Sequence, residues 1–235
     1  MESLAIIAEF NPFHTGHARL IRQVRQAAGP EAAIVIIMSG AFVQRGEPAF
    51  FDKWHRAAWA IDGGADVVIE LPAVYALSSA AGFAQGGVTL AARLGCQALA
   101  CGVEGGTAAD FLSLARRSEG LTACLKAAKK SSAGQQLTDA LMAAAPDEAR
   151  LLQQPNALLA FEYARAMLKQ EQPLTFLPLP RQGRHGDTGL GAAFASASAL
   201  RQAMRCSGTA AACRPYLTAA SLAGAEDQLA QGAFT

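Results

Sequence analysis

The sequence predicts an α/β protein organised as a doubly wound parallel sheet with helical additions. Two observations lead there. Short apolar runs, each closed by turn-forming or polar residues, alternate through the first hundred positions with segments whose apolar residues recur at helical spacing. The chain also has 235 residues, 51% hydrophobic and 17% charged, enough to bury a core on both faces of such a sheet.

Leu4–Ala8 is the first run, ending at Asn11-Pro12, and Ala33–Met38 is the second, ending at Ser39-Gly40; both read as buried strands. Asp66–Glu70 and Ala98–Gly102 repeat the pattern. Between the first two, His17, Leu20, Ile21, Val24 and Ala28 share one helix face, and Gly29-Pro30 stops the helix. Asp52 is placed to cap the next helix, which runs to Gly63-Gly64. Ser79–Leu94 is a third helix, and its Gly82, Gly86 and Gly87 imply close packing on a neighbour. After Glu104 comes an Ala-rich helical stretch to about Ala145, with Lys126, Lys129 and Lys130 as a basic, solvated face. Asn156 precedes a helix over Ala157–Lys169, and Leu174–Leu177 reads as a last strand that Pro178 and Pro180 confine to a sheet edge. Arg181–Gly191 reads as a loop, Ser196–Arg205 as a helix, and Thr209–Thr235 is helical in composition. Residues 1–190 thus form one unit, and 191–235 open a helical region.

Composition excludes several functions. Twenty Lys and Arg against nineteen Asp and Glu, a net charge of +1, give no basic face for gripping a polyanion along its backbone. Cys96, Cys101, Cys124, Cys206 and Cys213 are odd in number and form no C-x-x-C, so reduced thiols are expected rather than a zinc site or disulfides. The apolar runs are far shorter than the ~20 residues of a membrane-spanning helix, and Met1-Glu2-Ser3 lacks a basic leader start; a cytoplasmic protein without a membrane is the expectation.

Chemistry concentrates at Glu9-Phe10-Asn11-Pro12-Phe13-His14-Thr15-Gly16-His17, where a buried strand turns into a helix through His-x-Gly-His. Helix N-terminal amides attract phosphate, a glycine permits close backbone approach, and two imidazoles one turn apart can donate to charge that builds when an α-phosphate is attacked. That equipment suits nucleotidyl transfer, with His14 and His17 as the catalytic candidates. In a parallel sheet ligands bind at the carboxyl ends of the strands, where Gln44, Arg45, Lys53 and Arg56 also fall. A Lys point charge or bidentate Arg there suits a triphosphate or an RNA phosphate, the plainer reading being solvated charges at a helix start. His55 reads as a surface residue. His185 and Asp187 form a candidate acid–base pair, and Ser196 and Ser198 either cap a helix or bind phosphate.

The wider wording resembles one family. Glu9 to His17, then Ser39-Gly40-x-Phe42-x-Gln44-Arg45-Gly46-Glu47-Pro48-Ala49, Lys53-x-x-Arg56, Gly64-Ala65-Asp66-x-Val68-Ile69-Glu70-Leu71-Pro72 and Phe83-Ala84-x-Gly86 closely resemble the bacterial tRNA(Met) cytidine acetate ligases. Looser echoes are Gly102-x-Glu104, Pro155-Asn156 ahead of Glu162-Tyr163, Arg181 with His185-x-Asp187, and Ala195 to Arg201. The resemblance implies a Rossmann-like nucleotidyltransferase domain of HIGH type that uses ATP, with Mg²⁺ accompanying the nucleotide. It would activate acetate as acetyl-adenylate and acetylate the wobble cytidine of elongator tRNA(Met). By position its ATP site would comprise Ile7-Ala8-Glu9-Phe10-Asn11-Pro12-Phe13-His14-Thr15-Gly16-His17-Ala18-Arg19-Leu20, Gly102, Asn156, Arg181 and Gln182, with Arg201 among the phosphate or tRNA contacts. Plainer readings stand beside these: Gly102 ends a strand, Asn156 caps a helix, and Arg181 follows Pro180 at the surface. The chain departs from the pattern at Arg184, where an aromatic is expected, and at Ala157, where a second Asn is common. Family members also continue beyond the position of Thr235 into a helical region thought to hold tRNA, so weak tRNA capture is expected. The same His-x-Gly-His serves enzymes that adenylylate small phosphorylated coenzyme precursors, which is the alternative function. A nucleotide-binding module without catalysis is a second alternative, and the intact histidines argue against it.

Overall fold

The alternation of apolar runs resolves into parallel strands in a computed structural model, which describes residues 2–44, 46–125, 133–181, 190 and 195–232. In chain order the elements are β1 (Ser3–Ala8), α1 (Thr15–Ala28), β2 (Ala33–Ser39), α2 (Lys53–Asp62), β3 (Val67–Leu71), a single turn α3 (Ala73–Ala76), α4 (Ala80–Arg93) and β4 (Ala98–Val103). There follow α5 (Ala108–Leu125), α6 (Ala133–Ala144), the short α7 (Pro146–Ala149) running into a 3₁₀ turn, α8 (Pro155–Met167) and β5 (Thr175–Pro180). Helices α9 (Ala197–Ser207) and α10 (Ala219–Ala230) close the described chain. The five strands pair in the order β3-β2-β1-β4-β5, all parallel, so the first strand in the sequence is the central one.

Strand alternation splits the core between the two faces. Ala5 and Ile7 of β1 join Val35, Ile37, Leu99 and Cys101 under α4, α5 and α8. Leu4 and Ile6 join Ile34, Ile36, Ala98 and Ala100 under α1, α2, α9 and α10. The last two helices supply Leu200, Met204, Ala225 and Leu229 to that second cluster, so the segment after residue 195 packs into the same core as β1. As the glycines of α4 imply, a Cβ on Gly86 would lie 2.2 Å from Tyr75 Cγ, and one on Gly87 2.5 Å from Ile7 Cδ1.

Several local expectations shift. The third strand starts at Val67 rather than Asp66, because the Asp66 carboxylate accepts from Ile34 N at 2.7 Å and pairs with Arg25, fastening the entry of β2 to that of β3. In β5 the prolines lie inside the strand. Thr175 N and Arg181 N donate to Gln97 O and Val103 O of the β4 side, so Pro178 and Pro180, of opposite parity, turn their missing N–H toward the open edge. The Ala-rich stretch is two helices, and Lys126, Lys129 and Lys130 lie outside the described residues. No described helix is long and apolar enough to cross a membrane.

Candidate active site

The exit of β1 is held by an unusual N-cap. His14 precedes α1 with its Nδ1 accepting from Gly16 N at 3.0 Å, while His14 N donates to His17 Nδ1 at 3.3 Å. This is a capping box with imidazoles in place of hydroxyl and carboxylate. The geometry explains Gly16 differently from phosphate approach: a Cβ there would sit 2.8 Å from His14 Cε1, so only glycine lets the ring fold back over its own helix. The two rings stack with centroids 3.7 Å apart.

An Nδ1 that accepts a hydrogen bond carries no proton, so each neutral ring bears its proton on Nε2. Neutrality is favoured. Burial pushes the His14 imidazole down to about 4, aided by the Arg181 guanidinium. Burial, then His14, then Arg181 hold His17 well below its ordinary value. At neutral pH the pair is therefore two fixed Nε2–H donors over a helix N-terminus, a donor arrangement suited to stabilising phosphate oxygens.

The loop between β1 and α1 is braced from below. Arg56, 0% exposed, donates to the carbonyls of Phe51 (2.9 Å), Glu9 (2.6 Å), Ser39 (3.1 Å) and Gly40. The expectation that Arg56 meets a phosphate is thereby corrected: its fork is consumed by four backbone acceptors, and it ties the exits of β1 and β2 to the start of α2. Asn11 Oδ1 accepts from Phe50 N at 2.8 Å, and Arg201 of α9 donates to Asn11 O at 2.6 Å across 190 positions of sequence. Inside this brace Phe10 is a non-glycine residue at φ 48, a conformation the surrounding contacts must enforce.

Other expected contacts divide. Ser196 is buried, and its Oγ caps α9 by accepting from Ala199 N, the capping alternative rather than the phosphate one. Ser198 Oγ accepts from Arg201 at 3.2 Å, and Arg201 reaches the β1 exit loop through Asn11 O. Lys53 Nζ pairs with Glu70 at 2.6 Å and is half-exposed. The Gln44 backbone amide is held by Glu9 Oε1 at 2.8 Å. His55 is at the surface with a partner, its Nδ1 lying 2.5 Å from Asp52 Oδ2. Arg45, Gln182, Arg184, His185 and Asp187 lie outside the described residues.

The second half of the site gathers at the exits of β4 and β5. A Cβ on Gly102 would meet Arg181 Cβ at 3.6 Å and Leu20 Cδ2 at 4.0 Å, which brings three expected positions together. Asn156 does not cap α8; the N-cap is Gln154, and Asn156 stands in the first turn behind Pro155. The capping is done by Glu104. Its Oε2 accepts from Ala157 N at 3.1 Å, and its Oε1 accepts from Asn156 Nδ2 and faces Arg181 at 4.0 Å. Sequence reasoning noted Glu104 within a motif and gave it no role. The available signal was its place two residues after Gly102, at the carboxyl end of a parallel strand. Among the described residues no group of three or more His, Cys, Asp and Glu could hold a metal ion.

A parallel α/β sheet with a stacked imidazole pair at the carboxyl end of its central strand is a nucleotidyltransferase-type fold. A family model described as HIGH Nucleotidyl Transferase matches residues 1–235, and the chain belongs to that family. It is similar to the tRNA(Met) cytidine acetate ligase of Latilactobacillus sakei, 39% identical over 233 residues, 97% of this chain and 58% of the relative. The Pediococcus pentosaceus protein of the same name is 40% identical over 205 residues, 86% of this chain and 53% of its own length. Thermotoga maritima TmcAL bound with alpha-thio ATP superposes with a TM-score of 0.86 at 30% identity, covering all of this chain and 57% of that one. The chain thus spans little more than half the length of these relatives.

Proposed function

We propose that this chain activates acetate with ATP and passes the acetyl group to the wobble cytidine of elongator tRNA(Met). The observation that carries the reading is the stacked His14 and His17 pair, whose Nδ1 atoms are tied to the chain so that both Nε2–H groups are left as donors. Support also comes from relatives named tRNA(Met) cytidine acetate ligase and from the ATP analogue held by the Thermotoga maritima neighbour. In the first step an acetate oxygen bonds to the α-phosphorus as the bond to the bridging oxygen breaks, and the electron pair leaves with pyrophosphate. The imidazole donors oppose the charge that develops on the phosphate oxygens. In the second step the cytidine amine attacks the acetyl carbonyl carbon, AMP departs with the C–O electron pair, and the amine loses a proton. His185 and Asp187 are our candidates for that proton.

We assign the triphosphate to the Ile7–Leu20 segment, Arg181, Ser198 and Arg201, and the adenosine to Gly102 and Asn156, with Gln182 following Arg181. Mg²⁺ would enter as part of the nucleotide substrate, on the phosphate oxygens. Acetate-dependent ATP–pyrophosphate exchange by the 235-residue chain, abolished by excess EDTA, is the expected result. Exchange that depends on a phosphomonoester instead would favour adenylylation of a coenzyme precursor, and no exchange would overturn the reading. With a net charge of +1, tRNA(Met) binding by this chain is expected to be weak. Submicromolar, tRNA(Met)-selective binding at physiological salt would contradict that.

A further inference from the structure

Glu104 is the most connected carboxylate at the open edge of the sheet, and nothing in the proposed chemistry uses it. Its side chain is only 13% exposed, and it links three elements: the exit of β4, on which it stands, the first turn of α8 through Asn156 and Ala157, and Arg181 after β5. A helix N-terminus ordinarily attracts phosphate. Here that seat is taken by a protein carboxylate, so the start of α8 is closed to a second anion.

The carboxylate also settles the orientation of Asn156. A carboxylate oxygen only accepts, so the terminal atom of Asn156 against Glu104 Oε1 is the amide nitrogen. The other terminal atom, Oδ1, is then fixed as the acceptor that Asn156 has to offer. Without Glu104 the carboxamide could turn over and present either atom.

We propose that Glu104 is a positioning residue that makes the α8 end of the site select hydrogen-bond donors of the adenosine and refuse phosphate. The inference rests on the reading that ATP occupies this edge. Adenosine offers two kinds of donor there, the 6-amino group of the base and the ribose hydroxyls. Orienting one acceptor toward either gives the nucleotide a fixed polarity, phosphates toward His14 and His17 and adenosine toward Asn156.

The test is calorimetric titration of the chain and its Glu104→Gln variant with ATP, inosine triphosphate, 2′-deoxyATP and 3′-deoxyATP. Gln keeps an acceptor for the helix amides but no longer obliges Asn156 to face it with nitrogen. The native chain should prefer ATP by about tenfold over the analogue lacking the recognised donor, and in Glu104→Gln that preference should fall below about threefold. The analogue affected identifies the donor: inosine triphosphate for the 6-amino group, a deoxynucleotide for a hydroxyl. In an Asn156→Ala background Glu104→Gln should change nothing further, an outcome that general loosening of the fold would not produce. If Glu104→Gln does not fold, Glu104→Asp, which keeps the charge but falls short of Nδ2, should show the same loss of preference. A folded variant with every preference unchanged, or effects that add in the double variant, overturns the inference alone. A native chain that binds no ATP overturns it together with the proposed function.

Discussion

The two halves of the sheet's carboxyl edge are built on different plans. At the exits of β1 and β2 the chain is gripped by its backbone: Arg56 takes four carbonyls, Asn11 takes the Phe50 amide, Arg201 takes the Asn11 carbonyl, and His14 caps its own helix. At the exits of β4 and β5 one carboxylate, Glu104, gathers Asn156, Ala157 and Arg181. The first plan fixes a loop in a conformation it would not choose, as Phe10 at φ 48 indicates. The second orients side chains on a frame of strand and helix that needs no such help. The difference implies that damage at the exits of β1 and β2 will cost mainly stability and damage at the exits of β4 and β5 mainly selectivity.

The largest effect should follow Arg56→Met. It leaves four carbonyls short of their donor in a fully buried site, and roughly 3 kcal/mol or more of stability should go, read as a lower urea midpoint. A loss under about 1 kcal/mol would show that the β1 and β2 exits hold without the clamp.

His17→Ala removes the Nδ1 that accepts from His14 N, so it should cost about 1 kcal/mol of stability, less than Arg56→Met, and be severe in chemistry. Removing a preorganised donor costs on the order of a hundredfold in rate, so acetyl-adenylate formation should drop by about that much in a folded variant. Retention within about threefold, roughly 0.7 kcal/mol, would remove His17 from the chemical step.

Acid sharpens the same contrast. Because burial and Arg181 lower His14 to about 4, the unfolded chain binds more protons than the folded one between that value and 6.5. Stability is then complete above pH 6.5 and lost as pH falls toward 4, by at most about 1.4 kcal/mol per pH unit from this one histidine. His14→Gln should remove that share, so the stability gap between native and variant should narrow on acidification. A gap that stays constant from pH 7 to 4.5 would mean that His14 is not held neutral by the fold.

The smallest effect belongs to Lys53→Ala. Its pair with Glu70 is half-exposed, and such pairs are worth about 0–1 kcal/mol, so thermal stability should barely change. If Lys53 meets a phosphate, the log–log salt slope of nucleic-acid binding should fall by about one or less. An unchanged slope would leave Lys53 as a surface partner of Glu70 only.

Much of this was legible in the sequence. The parallel sheet followed from apolar runs alternating with helical segments, since a parallel strand buried on both faces must be continuously apolar. Asp52 and the glycines of α4 were readable because a cap and a close approach are local or nearly local requirements. Arg56 was misread because a Lys-x-x-Arg at a helix start looks the same whether its guanidinium faces solvent or four carbonyls drawn from the exits of two strands. The plainer reading of Asn156 as a cap fails because the residue that caps α8, Glu104, lies 52 positions away.

By itself the sequence determined the α/β class, the first buried strand and the turn that carries His14 and His17, because periodicity, capping and turn chemistry act over a few residues. The tertiary structure decided which charges are available to a ligand and which are spent on the protein. Arg56, Glu104 and Arg201 find their partners 16 to 190 positions away. It also decided that both imidazoles are neutral Nε2 donors, since burial and the Arg181 charge arise only once β5 is laid beside β4. Desolvation and long-range hydrogen bonding depend on where the folded chain puts a side chain, and no spacing along the sequence encodes that place.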